Sequence, residues 1–150
     1  MSQLEQRILA DYNAAMKAGD TQLRDTLRLL RAALKSAEID KRASLTEEEA
    51  AGVLLRQAKQ RKESIELFAQ GGRQDLVQQE EAELRIIESY LPKQLSRQEI
   101  EEMARAVIAE LGAAGPGAIG KVMGRLMPRV QGKADGKLVN EVVRGLLSQQ

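Results

Sequence analysis

The sequence contains no histidine, cysteine or tryptophan, and its only aromatic residues are Tyr12, Phe68 and Tyr90. Without cysteine and histidine the chain can form no disulfide, thiolate nucleophile or Cys/His zinc site. Without imidazole it has no side chain that titrates near neutral pH, which excludes Ser-His-Asp and Cys-His catalysis. Any chemistry would rest on carboxylates, lysine, tyrosine or hydroxyls. We therefore predict no catalytic residues, no metal site and no cofactor.

The chain also lacks long apolar runs. Its longest uncharged run is far shorter than the roughly 18–20 apolar residues that a membrane span requires. No basic segment followed by an apolar core opens the sequence, so we expect no signal peptide. The 150 residues are 43% hydrophobic, enough to bury a core. These features predict a cytoplasmic protein without membrane contact.

Helical signals follow one another along almost the whole chain. Apolar residues recur three and four positions apart, and no segment alternates as a strand does. Ser2, Thr46 and Ser96 each precede a glutamate by three positions, which predicts helices that begin with reciprocal capping boxes. Asp20 and Asp135 are typical N-cap residues. The sequence thus predicts an all-α, multihelical fold.

Composition changes near Leu91–Leu95, and this change predicts a domain boundary. Four of the twelve glycines precede the boundary, within long charged segments, and eight follow it among shorter apolar ones. We predict an N-terminal domain of long helical hairpins over 1–92 and a small three-helix domain over 93–150.

A glycine-rich segment, Gly115–Lys121, matches the first part of a phosphate-binding P-loop. Val122 stands where that motif needs a Ser or Thr, and a predicted helix precedes the segment instead of a strand. We interpret it as a loop between helices, with Gly120 and Gly124 spaced so that another helix backbone approaches closely. Downstream, Pro128 predicts a bend in its helix or the end of it.

The net charge of +1 conceals a basic C-terminal end. Residues 1–94 carry 15 basic and 16 acidic side chains, whereas residues 121–144 carry six basic and two acidic ones. Five of these six are the predicted phosphate contacts: Lys121, Arg125, Arg129, Lys133 and Lys137. The segment 131–138 runs into a predicted helix N-terminus, where backbone donors and the helix dipole favour an anion. The alternative is a capped helix start with incidental lysines. Since no aromatic residue lies here, RNA would be held by its backbone and shape.

A second basic stripe is predicted on one helix face and consists of Arg24, Arg28, Arg31 and Lys35. Such a stripe suits a phosphate backbone. We favour the alternative of a solvated face neutralised by neighbouring carboxylates, because residues 1–94 carry a net charge of −1.

The segment Ala118–Leu147 resembles the tail signature of the GatB/YqeY family, in which a G-x-V/L-M segment leads into G-K/R-A-D/N-G/P-K-x-V-N. Three upstream segments, 59–65, 71–75 and 90–96, are similar to the stand-alone YqeY-like proteins, as are 15–18 and 27–34. Gly136 departs from many B-subunit tails, which have proline there, and matches the stand-alone branch.

The resemblance implies an all-helical protein in two parts. In the family the homologous tail belongs to the B subunit of a tRNA-dependent amidotransferase, a carbon-nitrogen ligase that uses glutamine as amido donor. There the tail helps to hold tRNA, and the active site lies in a cradle domain that this chain lacks. The resemblance therefore associates the chain with amide transfer only through a partner that supplies the cradle.

Besides amide transfer with such a partner, two functions remain open from the sequence. The first is a non-catalytic module that contacts tRNA or another structured RNA through the five basic residues. The alternative is a protein-interaction module whose helical grooves receive a partner protein. The sequence does not predict the oligomeric state.

Overall fold

The structure, a computed structural model, describes residues 1–149. This part of the chain contains seven α-helices, one short 3-10 turn and no strand, which confirms the predicted all-α fold class. The helices are α1 (Gln3–Ala18), α2 (Thr21–Lys41), α3 (Glu47–Gln70), α4 (Gln74–Glu88), α5 (Arg97–Leu111), α6 (Ile119–Val130) and α7 (Gly136–Ser148), and the 3-10 turn is Pro116–Ala118.

Contacts between residues divide the chain into two compact units, Met1–Pro92 and Lys93 onward. In the first unit α1 packs against α2, α3 packs against α4, and α2 contacts both members of the second pair. In the second unit α5, α6 and α7 pack against one another. That 1–92 and 93–150 fold as separate domains stays a prediction.

Two helices begin with the complete capping box that the sequence predicts. The hydroxyl of Thr46 accepts a hydrogen bond from Glu49 N at 3.1 Å, and the Glu49 carboxylate accepts one from Thr46 N at 2.9 Å. Ser96 and Glu99 form the same pair of bonds at the start of α5. Each box satisfies two backbone donors that a helix start would otherwise leave unpaired.

The third predicted capping box is only half formed. The hydroxyl of Ser2 accepts from Glu5 N at 3.1 Å, as predicted. The complete reciprocal box does not form at this helix start, and the Glu5 side chain is 6% exposed. Spacing alone could not separate the two arrangements, because both place a glutamate at the third helical position.

The core of the first unit forms along the apolar stripe of α2. Its buried members on that helix are Leu27, Leu30 and Leu34. They lie in one cluster with Ile8 from α1, Leu54 from α3 and Ile87 from α4. Burying one such side chain contributes about 1.5–3 kcal/mol relative to leaving it in water. The same cluster therefore stabilises all four helices.

The core of the second unit is built from the inner faces of α5, α6 and α7. On α6 the residues Val122, Leu126 and Val130 are fully buried and four positions apart. The helix does not end at Pro128, which lies two residues before its last residue. A proline this close to the C-terminus removes one backbone hydrogen bond and leaves the rest of the helix intact. The opposite face of α6 is left to solvent.

No helix in residues 1–149 has the length and apolar content that crossing a bilayer requires.

Candidate nucleic-acid interface

The solvent face of α6 presents three of the five predicted phosphate contacts. Lys121, Arg125 and Arg129 are all exposed, and each precedes a buried residue of the same helix by one position. Their spacing of four residues places successive side chains about 6 Å apart along the helix axis. These three cations therefore form a row along one side of α6.

Two members of this row share one carboxylate from the neighbouring helix. Arg129 donates to Glu110 of α5 through both terminal nitrogens, at 3.4 Å to Oε1 and 3.1 Å to Oε2. Arg125 Nη1 lies 3.6 Å from the same Oε2. The hydrogen bonds from Arg129, with the charge of Arg125, lower the pKa of Glu110 below its ordinary value. One negative charge thus holds two arginines side by side.

The glycines beside this row do not make the close contact with another helix backbone that their spacing suggested. Gly120 and Gly124 are exposed, and a Cβ built on either would meet no atom within 4 Å among the described residues. The predicted close approach of a second helix backbone is therefore wrong for this part of the chain. Helical spacing identifies small residues on one face, but it does not reveal what lies opposite that face. The two glycines leave the α6 backbone bare next to Lys121 and Arg125.

The loop that carries Lys133 has a fixed backbone. Lys133 N donates to Val130 O at 2.8 Å, and Lys133 O accepts from Leu95 N at 2.8 Å. Gly132, buried and with φ +79°, makes the turn, and its carbonyl accepts from Gln94 Nε2 at 3.0 Å. A positive φ of this kind suits glycine, which has no Cβ to clash. The Lys133 side chain is exposed on this fixed loop.

The start of α7 already holds a carboxylate. Asp135 is the N-cap, as predicted, and its Oδ1 accepts from Lys137 N at 3.2 Å. The predicted anion site at this helix start is therefore occupied by the protein's own side chain, which uses the donor and the dipole. Lys137 contributes through its exposed side chain instead.

The structure places Lys137 close to the last turns of α6. Met127 Cε lies 3.6 Å from where a Cβ on Gly136 would stand, so the first residue of α7 packs directly on α6. Lys133 and Lys137 thus follow Arg129 at one end of α6, whereas Lys121 lies at the other end, about 12 Å away along the axis.

The other three cations of the predicted set, Lys121, Lys133 and Lys137, carry exposed side chains. Glu110, the carboxylate that orders the two arginines, is a residue that the sequence did not single out. No local signal could have done so, since it precedes its partners by 15 and 19 residues.

The second basic stripe, on α2, is partly neutralised by its neighbours. Asp25 lies 2.9 Å from Arg24 and 3.9 Å from Arg28. The guanidinium of Arg31 stacks on the ring of Tyr12, with its central carbon 4.9 Å from the ring centroid. The contacts of Asp25 support the interpretation of a solvated, compensated face for Arg24 and Arg28, whereas the stacking on Tyr12 gives Arg31 no opposite charge.

Metal ligation is not suggested by the acidic side chains. Among residues 1–149, no group of three or more is arranged to hold a metal ion.

Comparison with known proteins identifies the family. The family model described as Yqey-like protein matches residues 5–147. The chain belongs to the YqeY-like family. This match covers both units and confirms the resemblance inferred from the tail motif and the upstream segments.

Two kinds of relatives share sequence with this YqeY-like chain. "Altered inheritance of mitochondria protein 41, mitochondrial" from Pyrenophora tritici-repentis is 28% identical over 92% of this chain and 77% of its own length. The protein of that name from Eremothecium gossypii is 36% identical over 67% of this chain and 57% of its own length. The E subunit of glutamyl-tRNA(Gln) amidotransferase from Thermococcus sibiricus is 53% identical over 45 residues, which are 30% of this chain and 7% of that protein. The match to the amidotransferase subunit therefore has a high identity but covers only a short part of each protein.

The predicted cytoplasmic location is contradicted by these relatives. The fungal proteins that align with most of the YqeY-like chain are named as mitochondrial. The prediction failed because the absence of cysteine and an ordinary apolar content are compatible with more than one aqueous compartment of a cell.

Proposed function

We propose that the second unit of this YqeY-like protein contacts tRNA or another structured RNA through Lys121, Arg125, Arg129, Lys133 and Lys137. The observation that carries the proposal is that all five side chains are exposed, three in a row along α6 and two on the loop and first turn of α7 that follow it. We call these five side chains the basic surface. Contacts to phosphates fix the position of an RNA without reading its sequence.

The electrostatics of the basic surface suit a phosphate ligand. Two of the five cations are paired with Glu110, whose side chain is itself 44% exposed. Surface ion pairs of this kind contribute little to stability, so a phosphate group can displace the carboxylate from the arginines. Arginine also offers two parallel donors that match the oxygens of a phosphate.

The archaeal relative supports the same proposal. It is named as part of an amidotransferase for glutamyl-tRNA(Gln), and this chain matches a short stretch of it. Because that stretch is 7% of the archaeal protein, the activity of the whole enzyme does not transfer to this chain. We propose RNA contact as the shared property and assign no catalytic step to the residues described.

Fluorescence anisotropy with labelled total tRNA tests the proposal, at about 50 and 200 mM KCl. Wild-type protein should bind at the lower salt concentration and lose affinity at the higher one, because phosphate contacts release counterions. The double variant Lys133→Ala/Lys137→Ala removes two contacts and should reduce the slope of log affinity against log salt by about 1.4–1.8.

A matched control is Lys17→Ala/Lys62→Ala, which removes two exposed lysines from the first unit. It should bind tRNA with nearly wild-type affinity and slope. Absence of binding at the lower salt concentration would refute the proposal. So would equal affinities for the two double variants, since the effect would then depend on total charge and not on the basic surface.

A further inference from the structure

The first unit contains a small cavity between α1 and α2 that has a strongly asymmetric lining. Its volume is about 270 Å³. Two lining residues are acidic, Glu5 and Glu38, and two are basic, Arg31 and Lys35. Leu9 and Leu34 add apolar surface, and Met1, the N-terminal residue, completes the lining. The basic surface of the second unit includes none of these residues.

Glu5 is a buried acid with an unsatisfied oxygen. The residue is 6% exposed, and within residues 1–149 its Oε1 has no hydrogen-bond partner. Burial raises the pKa of Glu5, and a hydrogen bond between its carboxyl group and that of Glu38 raises it further, whereas the positive charge of the N-terminus lowers it. A buried polar atom without a partner costs free energy comparable to a lost hydrogen bond, so most native ones are satisfied. A donor from outside the chain would satisfy this oxygen.

The two basic residues of the cavity are available to bind a negatively charged group. Arg31 and Lys35 are one turn apart on α2, and both are exposed. Neither forms an ion pair with an acidic side chain in the described part of the chain. Arg31 is held in place by its stacking on Tyr12. A fixed guanidinium and a nearby ammonium can together receive a carboxylate.

We propose that this cavity binds a small zwitterion of the free amino acid class, with its ammonium group at Glu5 and Glu38 and its carboxylate at Arg31 and Lys35. A simple cation would be repelled by the two basic residues, and a simple anion by the two acidic ones. A zwitterion satisfies both pairs. The leucine side chains favour an aliphatic side chain on the ligand, since burying apolar surface adds to affinity.

Titration of isotopically labelled protein with L-leucine, followed by amide chemical shifts, tests this assignment. Leucine should bind saturably, with shifts confined to the N-terminal half of α1 and the C-terminal half of α2. Two analogues each lack one charge: 3-methylbutylamine has no carboxylate, and 4-methylpentanoate has no ammonium. Each should bind at least about tenfold more weakly than leucine, which corresponds to the loss of one charged contact.

Three single variants complete the test. Glu5→Gln keeps the size of the side chain and should weaken leucine binding at least about tenfold. Lys35→Gln should weaken binding of leucine and leave that of 3-methylbutylamine unchanged or improved. Lys62→Gln, at an exposed position on α3, should behave as wild type.

Failure to saturate with leucine at about 20 mM would overturn the proposal, because binding weaker than this would not require the specific contacts proposed for the cavity. Equal binding of leucine and either single-charge analogue would also overturn it, as would unchanged affinity in a folded Glu5→Gln variant. Because the basic surface lies in the other unit, none of these results bears on tRNA binding.

Discussion

Removing the carboxylate of Glu110 should strengthen tRNA binding, although it removes the ion pairs that this residue makes. In Glu110→Gln the arginines at 125 and 129 lose the contacts measured at 3.6 and 3.1 Å. They also lose the one negative charge that a bound phosphate would have to displace. The net charge of the five cations with residue 110 rises from +4 to +5.

The size of the effect follows from counterion release. One added unit of positive charge facing phosphates should steepen the slope of log affinity against log salt by about 0.7–0.9. Between about 50 and 200 mM salt, this makes the advantage of Glu110→Gln over wild type roughly threefold larger at the lower concentration. The thermal midpoint of unfolding should change little, because exposed ion pairs contribute little to stability.

Fluorescence anisotropy with labelled tRNA measures this effect, with Glu102→Gln as the matched control. Glu102 is an exposed carboxylate on α5 that lies about 12 Å from Glu110 along the helix axis, a separation at which salt screens most of its charge. Affinity should rank Glu110→Gln above wild type and Glu102→Gln close to wild type. A lower affinity for Glu110→Gln would show that the arginines need the carboxylate for their orientation, and would refute the displacement model.

Three stability predictions concern single side chains, each measured by urea unfolding of the intact chain. Gly132→Ala should destabilise the second unit by about 1–2 kcal/mol, because φ +79° strains any residue with a Cβ. Tyr90→Phe should cost about 1.5–3 kcal/mol by removing the hydrogen bond from Tyr90 Oη to Asp11 Oδ2 at 2.5 Å; an unchanged midpoint would show that this bond adds nothing net. Because the folded-state pKa of Glu5 is raised above 4.5, its favourable contribution is complete below that pH and is lost as the pH rises through the folded value. Glu5→Gln should therefore gain stability relative to wild type as the pH rises above 4.5, and a constant difference would contradict the raised pKa.

Local patterns predicted the fold because helices are specified by neighbours in sequence. The boxes at Thr46 and Ser96 and the cap at Asp135 each need residues within three positions, and all three form as predicted. Two of the buried residues of α6, Val122 and Leu126, also follow the helical spacing of apolar residues. Short-range rules of this kind need no knowledge of how one helix lies against another.

Features that depend on packing between helices were not predictable in the same way. The pairing of Glu110 with Arg129 depends on how α5 lies against α6, and the inward turn of Glu5 depends on the cavity beside α2. Gly120 and Gly124 illustrate the opposite error, since their spacing suggested a close contact that the described residues do not make. The basic residues themselves were predicted from charge, but the carboxylate that pairs with two of them was not.

The hydrogen bonds from Gln94 and Leu95 to the 131–133 loop determine where the second unit must begin. A fragment that starts at Ser96 would include α5, α6 and α7 complete and would still lack both anchors of the loop that carries Lys133. Hydrogen bonding therefore requires the second unit to begin no later than Gln94, which lies two residues upstream of the α5 N-cap. The few residues ahead of α5 therefore hold the loop of the basic surface in place. Removing them would free the backbone of Lys133, which lies almost forty residues away in sequence.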